Sequence, residues 1–291
     1  MGATNPYPGD TLERLQAVER EILKVIDDLC QRHGITYFAD GGTCLGAVRH
    51  KGFIPWDDDI DVAMLHEDFL RFCEVARTEL PPGYSIHTFR DTPNVTIFWA
   101  KVYKDGTRFM DAEMIEAKNE QPIFIDVMTY RTLDADPGRA FRQREVTLFL
   151  QRICYLTRIS HPKIHPGVPH RETWLKVCRV AHYPLRLVPR RLLHALFELA
   201  WKTNDPGELL VNGSYGRNRP LTRDALVPVV RVPFDDMTVC IPADADTYLR
   251  NIYGDSYMSP PPEFDRYRHA PLVLDFGDGV NVMEGLTSAT A

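Results

Sequence analysis

The amino-acid sequence predicts an α/β (α+β) protein: a mixed sheet flanked by helices, followed by a mainly helical insertion. Three observations carry this expectation. Segments of helical and strand periodicity alternate from Thr11 to Met128. A helical pattern then runs from Pro137 to Asn204, broken by a His/Pro-rich stretch at His161 to His170. The remainder is loop-rich, with short strand and helix signals.

Asp10 and Glu13 read as a capping box, with Thr11 opening the first helix. Leu15, Val18, Ile22, Ile26 and Leu29 then recur at helical spacing as far as Gly34. Ile35 to Ala39 is a short strand. Asp40-Gly41-Gly42 breaks it, and Thr43 to Arg49 reads as a short helix before a turn at His50 to Pro55. Ile60 to Met64 predicts a strand and Glu67 to Leu80 a helix. Tyr84 to Thr88, Thr96 to Tyr103 and Arg108 to Ala112 are β-like, and Pro122 to Met128 is an apolar strand interrupted by Asp126. Far downstream come a strand near Met237 to Ile241 and a helix near Ala243 to Tyr253. The expected division is a core over 1–136, a basic helical subdomain over 137–205, a C-terminal segment over 206–283 and a flexible tail over 284–291.

The 291 residues are 44% hydrophobic and 25% charged, ordinary for a chain with a real core. A net charge of -6 gives no global reason to expect nucleic acid. The N-terminal residues lack a basic stretch followed by an apolar run, and no apolar run approaches the ~18 residues of a spanning helix. Six cysteines are scattered without a CxxC pair, which predicts buried reduced thiols and a cytoplasmic setting.

The most informative stretch is residues 37–64, YFADGGTCLGAVRHKGFIPWDDDIDVAM. Asp59-Ile60-Asp61-Val62 alternates acid and apolar. On a strand, Asp59 and Asp61 project to one face with Cα atoms ~7 Å apart. Two carboxylates held that way repel unless a cation lies between them, and hard oxygen ligands select Mg²⁺ or Mn²⁺. Asp126 is the best third carboxylate, because an acid inside an apolar strand is costly to bury without a partner. Its position is explained if its strand lies beside Ile60 to Met64. Gly41-Gly42-Thr43 follows a strand and opens a helix, which aims backbone N–H groups at an anion. Arg49, Lys51 and Lys101 are available for phosphate oxygens. A solvated acidic surface would not be flanked by Trp56, Ile60 and Val62. A calcium loop over the same acids would need Gly where Val62 stands.

The run from Gly41 to Asp61, GGTCLGAVRHKGFIPWDDDID, resembles the signature of the LicD family of phosphotransferases, which also takes in the fukutin-related proteins. Lys101 to Thr107 and Pro122 to Val127 are similar to the family's next two blocks. Tyr253-Gly254-Asp255, Met258 and Pro260-Pro261-Pro262-Glu263 are similar to its YGDYM…PPE ending. After that ending the family has a basic pair and paired histidines, where this chain has Phe264-Asp265-Arg266 and a single His269. The resemblance implies a nucleotidyltransferase fold and Asp59, Asp61 and Asp126 as metal-holding carboxylates. It also implies a CDP-linked donor such as CDP-choline or a CDP-polyol, a phosphodiester formed on a glycan or glycolipid, and release of CMP.

Three other readings stand beside it. A glycosyltransferase also uses an Asp-x-Asp metal pair, but carries a nucleotide-binding half-sheet upstream of it, and one strand here is too little. A true nucleotidyltransferase would transfer NMP and release diphosphate, and spacing does not separate it from phosphotransfer. A degenerate binding module would be marked by loss of the three carboxylates, which are all present.

Two further expectations come from composition. No four-ligand Cys/His spacing exists, so structural zinc is not expected, and His161, His165 and His170 read as ordinary loop residues. Residues 139–202 hold 13 Lys plus Arg against 3 Asp plus Glu. One reading of that asymmetry is a core-packed helix layer with a basic outer face around Arg186, Arg190 and Arg191. The other is peripheral contact with an anionic membrane surface.

Overall fold

The computed structural model of the chain describes residues 5–164, 168–212, 219–262 and 270–284. Helix α1 spans Thr11–His33, and its apolar stripe of Leu15, Ile22, Ile26 and Leu29 is fully buried. The expected capping box does not form. Asp10 precedes the helix with ψ 12° rather than an extended ψ, and its carboxylate makes no cap hydrogen bond. Gly34 closes the helix at φ 58°, a left-handed conformation that glycine adopts at little cost.

Strand β1 (Phe38–Ala39) leads into α2 (Gly41–Arg49), then β2 (Asp61–Leu65) and α3 (His66–Glu79). β3 (Tyr84–Thr88) and β4 (Ala100–Lys104) form a hairpin, followed by β5 (Arg108–Met110) and α4 (Ala112–Ala117). β6 (Ile123–Asp134) is the long central strand. Along its first half it pairs in parallel with β2 and antiparallel with β4, giving the order β1–β2–β6–β4–β3. The expected strand ended at Met128. It continues to Asp134 because β7 (Pro206–Asn212), with β8 (Leu221–Thr222) beside it, pairs with its second half. That pairing joins residues more than 70 apart in the chain and leaves no local sequence signal.

The helical region forms α5 (Pro137–Leu156), α6 (Arg171–Leu185) and α7 (Arg190–Ala200). It has its own apolar cluster, in which Leu150, Leu193, Phe197 and Trp201 pack with Phe89, Phe98, Leu133 and Val211. The main core lies between α1, α2 and α3 and the sheet. The C-terminal part adds the hairpin β9 (Val229–Phe234) and β10 (Met237–Pro242), α8 (Ala245–Tyr253) and β11 (Val273–Asp275), which pairs with β5. Arg231 clamps this hairpin to α1 through two hydrogen bonds to Asp27, 2.7 and 2.9 Å long. Arg20 and Lys24 reach Asp235 and Asp236 at its turn.

All six cysteines are thiols. Among the described residues no helix is long and apolar enough to cross a membrane. His165 and the stretch Glu263–His269, with the departure from the PPE ending, lie outside the described residues.

Candidate active site

The site is built where β2, β6 and α2 meet. Asp61 and Asp126 face each other across the parallel β2–β6 pair. Neighbouring strands lie ~4.8 Å apart and paired residues share a face, so these two carboxylates project together. The Asp61 N–H donates to Thr43 Oγ1 at 2.9 Å, and the Asp61 carbonyl accepts from the Asp40 N–H at 2.9 Å. The strand is thereby stitched to the start of α2. On the other edge of β6, Lys101 stands opposite Asp126. Its Nζ lies 2.9 Å from Asp126 Oδ1 and 3.3 Å above the Phe124 ring. Trp99 Nε1 donates to Asp126 Oδ1 at 2.6 Å. Lys101, which the sequence offers to phosphate oxygens, is thus an ion-pair partner of Asp126 inside the sheet.

The expected strand began at Ile60 and carried the Asp-x-Asp pair along its run. The observed one begins at Asp61, and Asp59 lies in the irregular segment before it. The cause is the turn at Pro55-Trp56, where the Asp57 N–H bonds back to the Ile54 carbonyl. Among the described residues, the carboxylate oxygens that already lie within 4.8 Å of one another belong to Asp57, Asp58 and Asp59. Asp58 is buried and accepts a 2.6 Å hydrogen bond from the Tyr7 hydroxyl, and Gln16 of α1 donates to the Asp57 carbonyl.

Gly41 and Gly42 open the short helix, as the Gly-Gly-Thr pattern predicts, and form its first turn two residues ahead of the expected start at Thr43, with Asp40 as N-cap. Asp40 is buried and holds the junction. It accepts from the Gly41 N–H at 3.0 Å, from the Tyr130 hydroxyl at 3.2 Å, from Asn212 at 3.3 Å and from the Tyr248 hydroxyl. Gly41 adopts φ 47°, and a β-carbon there would lie 3.6 Å from the Tyr253 hydroxyl. A β-carbon on Gly42 would sit 2.8 Å from Asp57 Oδ2. The glycine pair is therefore what lets the acidic segment close over the helix N-terminus. Thr43 is buried below it.

Burial drives the Asp61 carboxyl well above its ordinary value, and the charges of Asp59, Asp126 and Asp40 add to this against the opposing charge of Lys101. Burial also raises the Glu19 carboxyl, reinforced by Asp59, Asp58, Asp57 and Asp61. Glu19 projects from α1 one turn beyond Gln16, is 2% exposed, and its Oε2 has no hydrogen-bond partner. Residue counting missed it, because a lone Glu on an otherwise amphipathic helix carries no signal that it faces inward. Tyr130, Asn212 and Tyr248 were missed because only the distant packing of β6, β7 and α8 brings them to Asp40. A cation suits such a donor set: several hard carboxylate oxygens, half-buried or buried and mutually repelling.

Arg49, at the end of α2, donates to the Tyr257 carbonyl at 2.9 Å, and burial lowers its pKa. It ties the acidic side of the site to the chain after α8. Lys51 is exposed on the following turn at φ 60°, where its carbonyl accepts from the Asp235 N–H.

The site is thus a mixed sheet with paired carboxylates on adjacent strands, beside a Gly-Gly helix N-terminus. A family model described as the LicD/FKTN/FKRP nucleotidyltransferase domain matches residues 34–137, the span from the end of α1 to the start of α5. Residues 34–137 thus carry the domain of the LicD family, and similarity to one of its members extends over most of the chain. It is 28% identical over 274 residues to the lipopolysaccharide cholinephosphotransferase LicD of Haemophilus influenzae, covering 89% of this chain and 96% of that protein. It is 39% identical over 49 residues to the ribitol 5-phosphate transferase FKRP of mouse and of human, a match covering 17% of this chain and 10% of theirs. A further match, 39% identical over 66 residues, is to an uncharacterised protein of Rickettsia typhi.

Proposed function

We propose that this chain is a phosphotransferase. It moves a phospho-headgroup, phosphocholine or a polyol phosphate, from a CDP-linked donor to a hydroxyl of a glycan or glycolipid. The observation that carries the proposal is the pairing of Asp61 with Asp126 on adjacent strands, beside the acidic turn and the Gly41-Gly42 helix start. The names of the relatives, a cholinephosphotransferase and a ribitol 5-phosphate transferase, support the class of group transferred.

Mg²⁺ or Mn²⁺ held by Asp59, Asp61 and Asp126 would neutralise charge on the diphosphate and the leaving group. The chain's own groups do the rest. Backbone N–H groups of Gly42 and Thr43 in the first turn of α2 receive phosphate oxygens. Arg49 and Lys51 stabilise further phosphate charge. The acceptor hydroxyl oxygen attacks the phosphorus remote from cytidine, and its proton passes to a carboxylate, Asp126 in this reading. The bond between that phosphorus and the oxygen bridging to CMP breaks, and CMP leaves with the electron pair. Lys101 and Trp99 hold Asp126 in its rotamer for this step.

A mass-spectrometric screen tests the reading. Purified protein is incubated with Mg²⁺ and CDP-choline, CDP-ribitol, CDP-glycerol, UDP-sugars or nucleoside triphosphates, with a glycan acceptor. CMP release from one CDP-linked donor is the expected result. Diphosphate release from a triphosphate would replace it with nucleotidyl transfer, and UDP release from a sugar donor with glycosyl transfer.

A further inference from the structure

The layer of α5, α6 and α7 exposes far more apolar surface than its neighbours. α6 buries only a narrow stripe, centred on His182, against α5. The rest of its outward surface carries Trp174 (53% exposed), Val177, Val180 (71%) and Tyr183 (65%), and Leu187 follows at 84%. On α7, Leu192, Leu196 and Leu199 repeat at helical spacing on the outside, while Leu193 and Phe197 fill the core. On α5, Phe141 and Phe149 are exposed two turns apart. Patches of this extent on a folded chain mark contact surfaces.

Charge selects the occupant. Lys176, Arg179, Arg186 and Arg191 are exposed among these apolar residues, within the region where 13 basic residues face 3 acidic ones. A second copy docking face to face would set this basic surface against itself. An anionic bilayer complements both features at once: apolar and aromatic side chains enter the headgroup boundary, and Lys and Arg reach lipid phosphates from the same helix. α6 is about 22 Å long, and no described helix is long and apolar enough to cross a membrane, so the contact is interfacial.

We infer that the outer faces of α6 and α7, with the exposed phenylalanines of α5, dock on an anionic membrane surface. The docking layer is fixed to the strand that carries the site. Arg131 of β6 makes hydrogen bonds of 2.7 and 3.0 Å to Glu198 of α7. Asp126 lies five residues earlier on β6, ~17 Å away by strand rise. The inference holds whichever donor is used.

Arg190, which the sequence groups with the basic face, does not belong to this surface. Its guanidinium donates to the carbonyls of Phe89, Thr92 and Val95 and lies 4.2 Å over the Phe89 ring. The test therefore leaves Arg190 intact. The full chain is mixed with vesicles of phosphatidylcholine alone, or with phosphatidylglycerol added, and followed by co-sedimentation and tryptophan fluorescence. Two variants are compared with it, Arg179→Glu/Arg186→Glu/Arg191→Glu and Trp174→Ser/Leu187→Ser, after their melting temperatures match the parent. The expected result is binding to anionic vesicles only, weakened by salt and lowered roughly tenfold or more in each variant. A blue shift should accompany binding and disappear with Trp174, the one exposed tryptophan among four. No binding to either vesicle, equal binding to both, or binding unchanged in both variants would overturn the inference. So would a dimer that the Trp174→Ser/Leu187→Ser variant dissolves, which would make a second copy the occupant.

Discussion

Asp61 is held among carboxylates by its own backbone: its N–H and carbonyl are bound to Thr43 and Asp40, so it cannot swing away to relieve repulsion. Replacing Asp59 or Asp61 by Asn should abolish turnover. In metal-free protein it should leave the melting temperature unchanged or raise it, because a like charge is removed. Retained activity in either variant would sink the assignment of these carboxylates. Asp126 differs from them because it is paired. Asp126→Asn leaves the Lys101 ammonium buried without its counter-charge, so besides losing activity it should destabilise the fold by about 2–4 kcal/mol. Lys101→Met in the Asp126→Asn background should recover part of that stability in a denaturant titration but no activity. Equal stability of the Asp61→Asn and Asp126→Asn variants would show that the ion pair is not what holds Asp126.

At the scale of elements, helix periodicity was the dependable signal and strand bounds the weak one. α1 and α3 fall within a residue or so of expectation because burial of one apolar stripe dictates both period and ends. β2 starts later than expected and β6 ends later, because hydrogen-bonding partners from distant segments decide where a strand stops. The loop between β3 and β4 contains no regular element and is instead gripped by Arg190 at the start of α7. Arg190→Ala should therefore cost about 2–4 kcal/mol, since three carbonyls lose a charged donor. Arg191→Ala, on the exposed side, should change stability by less than about 0.5 kcal/mol. Chemical denaturation of the two single variants separates these outcomes.

At the scale of the molecule, the site closes only when the C-terminal part docks on the first. Tyr248 and Tyr253 come from α8 to Asp40, Gly41 and Gly42, and Arg49 reaches back to the Tyr257 carbonyl. Divalent cation bound to the folded state alone should raise the melting temperature with concentration, Mg²⁺ or Mn²⁺ more than an equal ionic strength of Na⁺. The shift should be lost in Asp59→Asn and Asp61→Asn. Chelation should remove activity without unfolding the chain, because two apolar clusters hold the fold together. Stoichiometric zinc that survives dialysis, with unfolding on its removal, would contradict this.

What the sequence determined by itself was the chemistry at hand and its order along the chain. The acidic turn, the glycine pair, the lone acid in an apolar strand and the basic helical region are all local patterns, and a local pattern is legible because its physical cause, side-chain period or turn conformation, acts over a few residues. What only the tertiary structure decided was which groups face one another. Register put Asp126 opposite both Asp61 and Lys101. Packing turned Glu19 inward and Arg190 toward a loop. The same packing buried one face of α6 and α7 and left their other faces apolar, basic and exposed. Such pairings join residues tens to hundreds apart in the chain, and their energies come from burial and charge in a shared low-dielectric space that does not exist until the chain has folded.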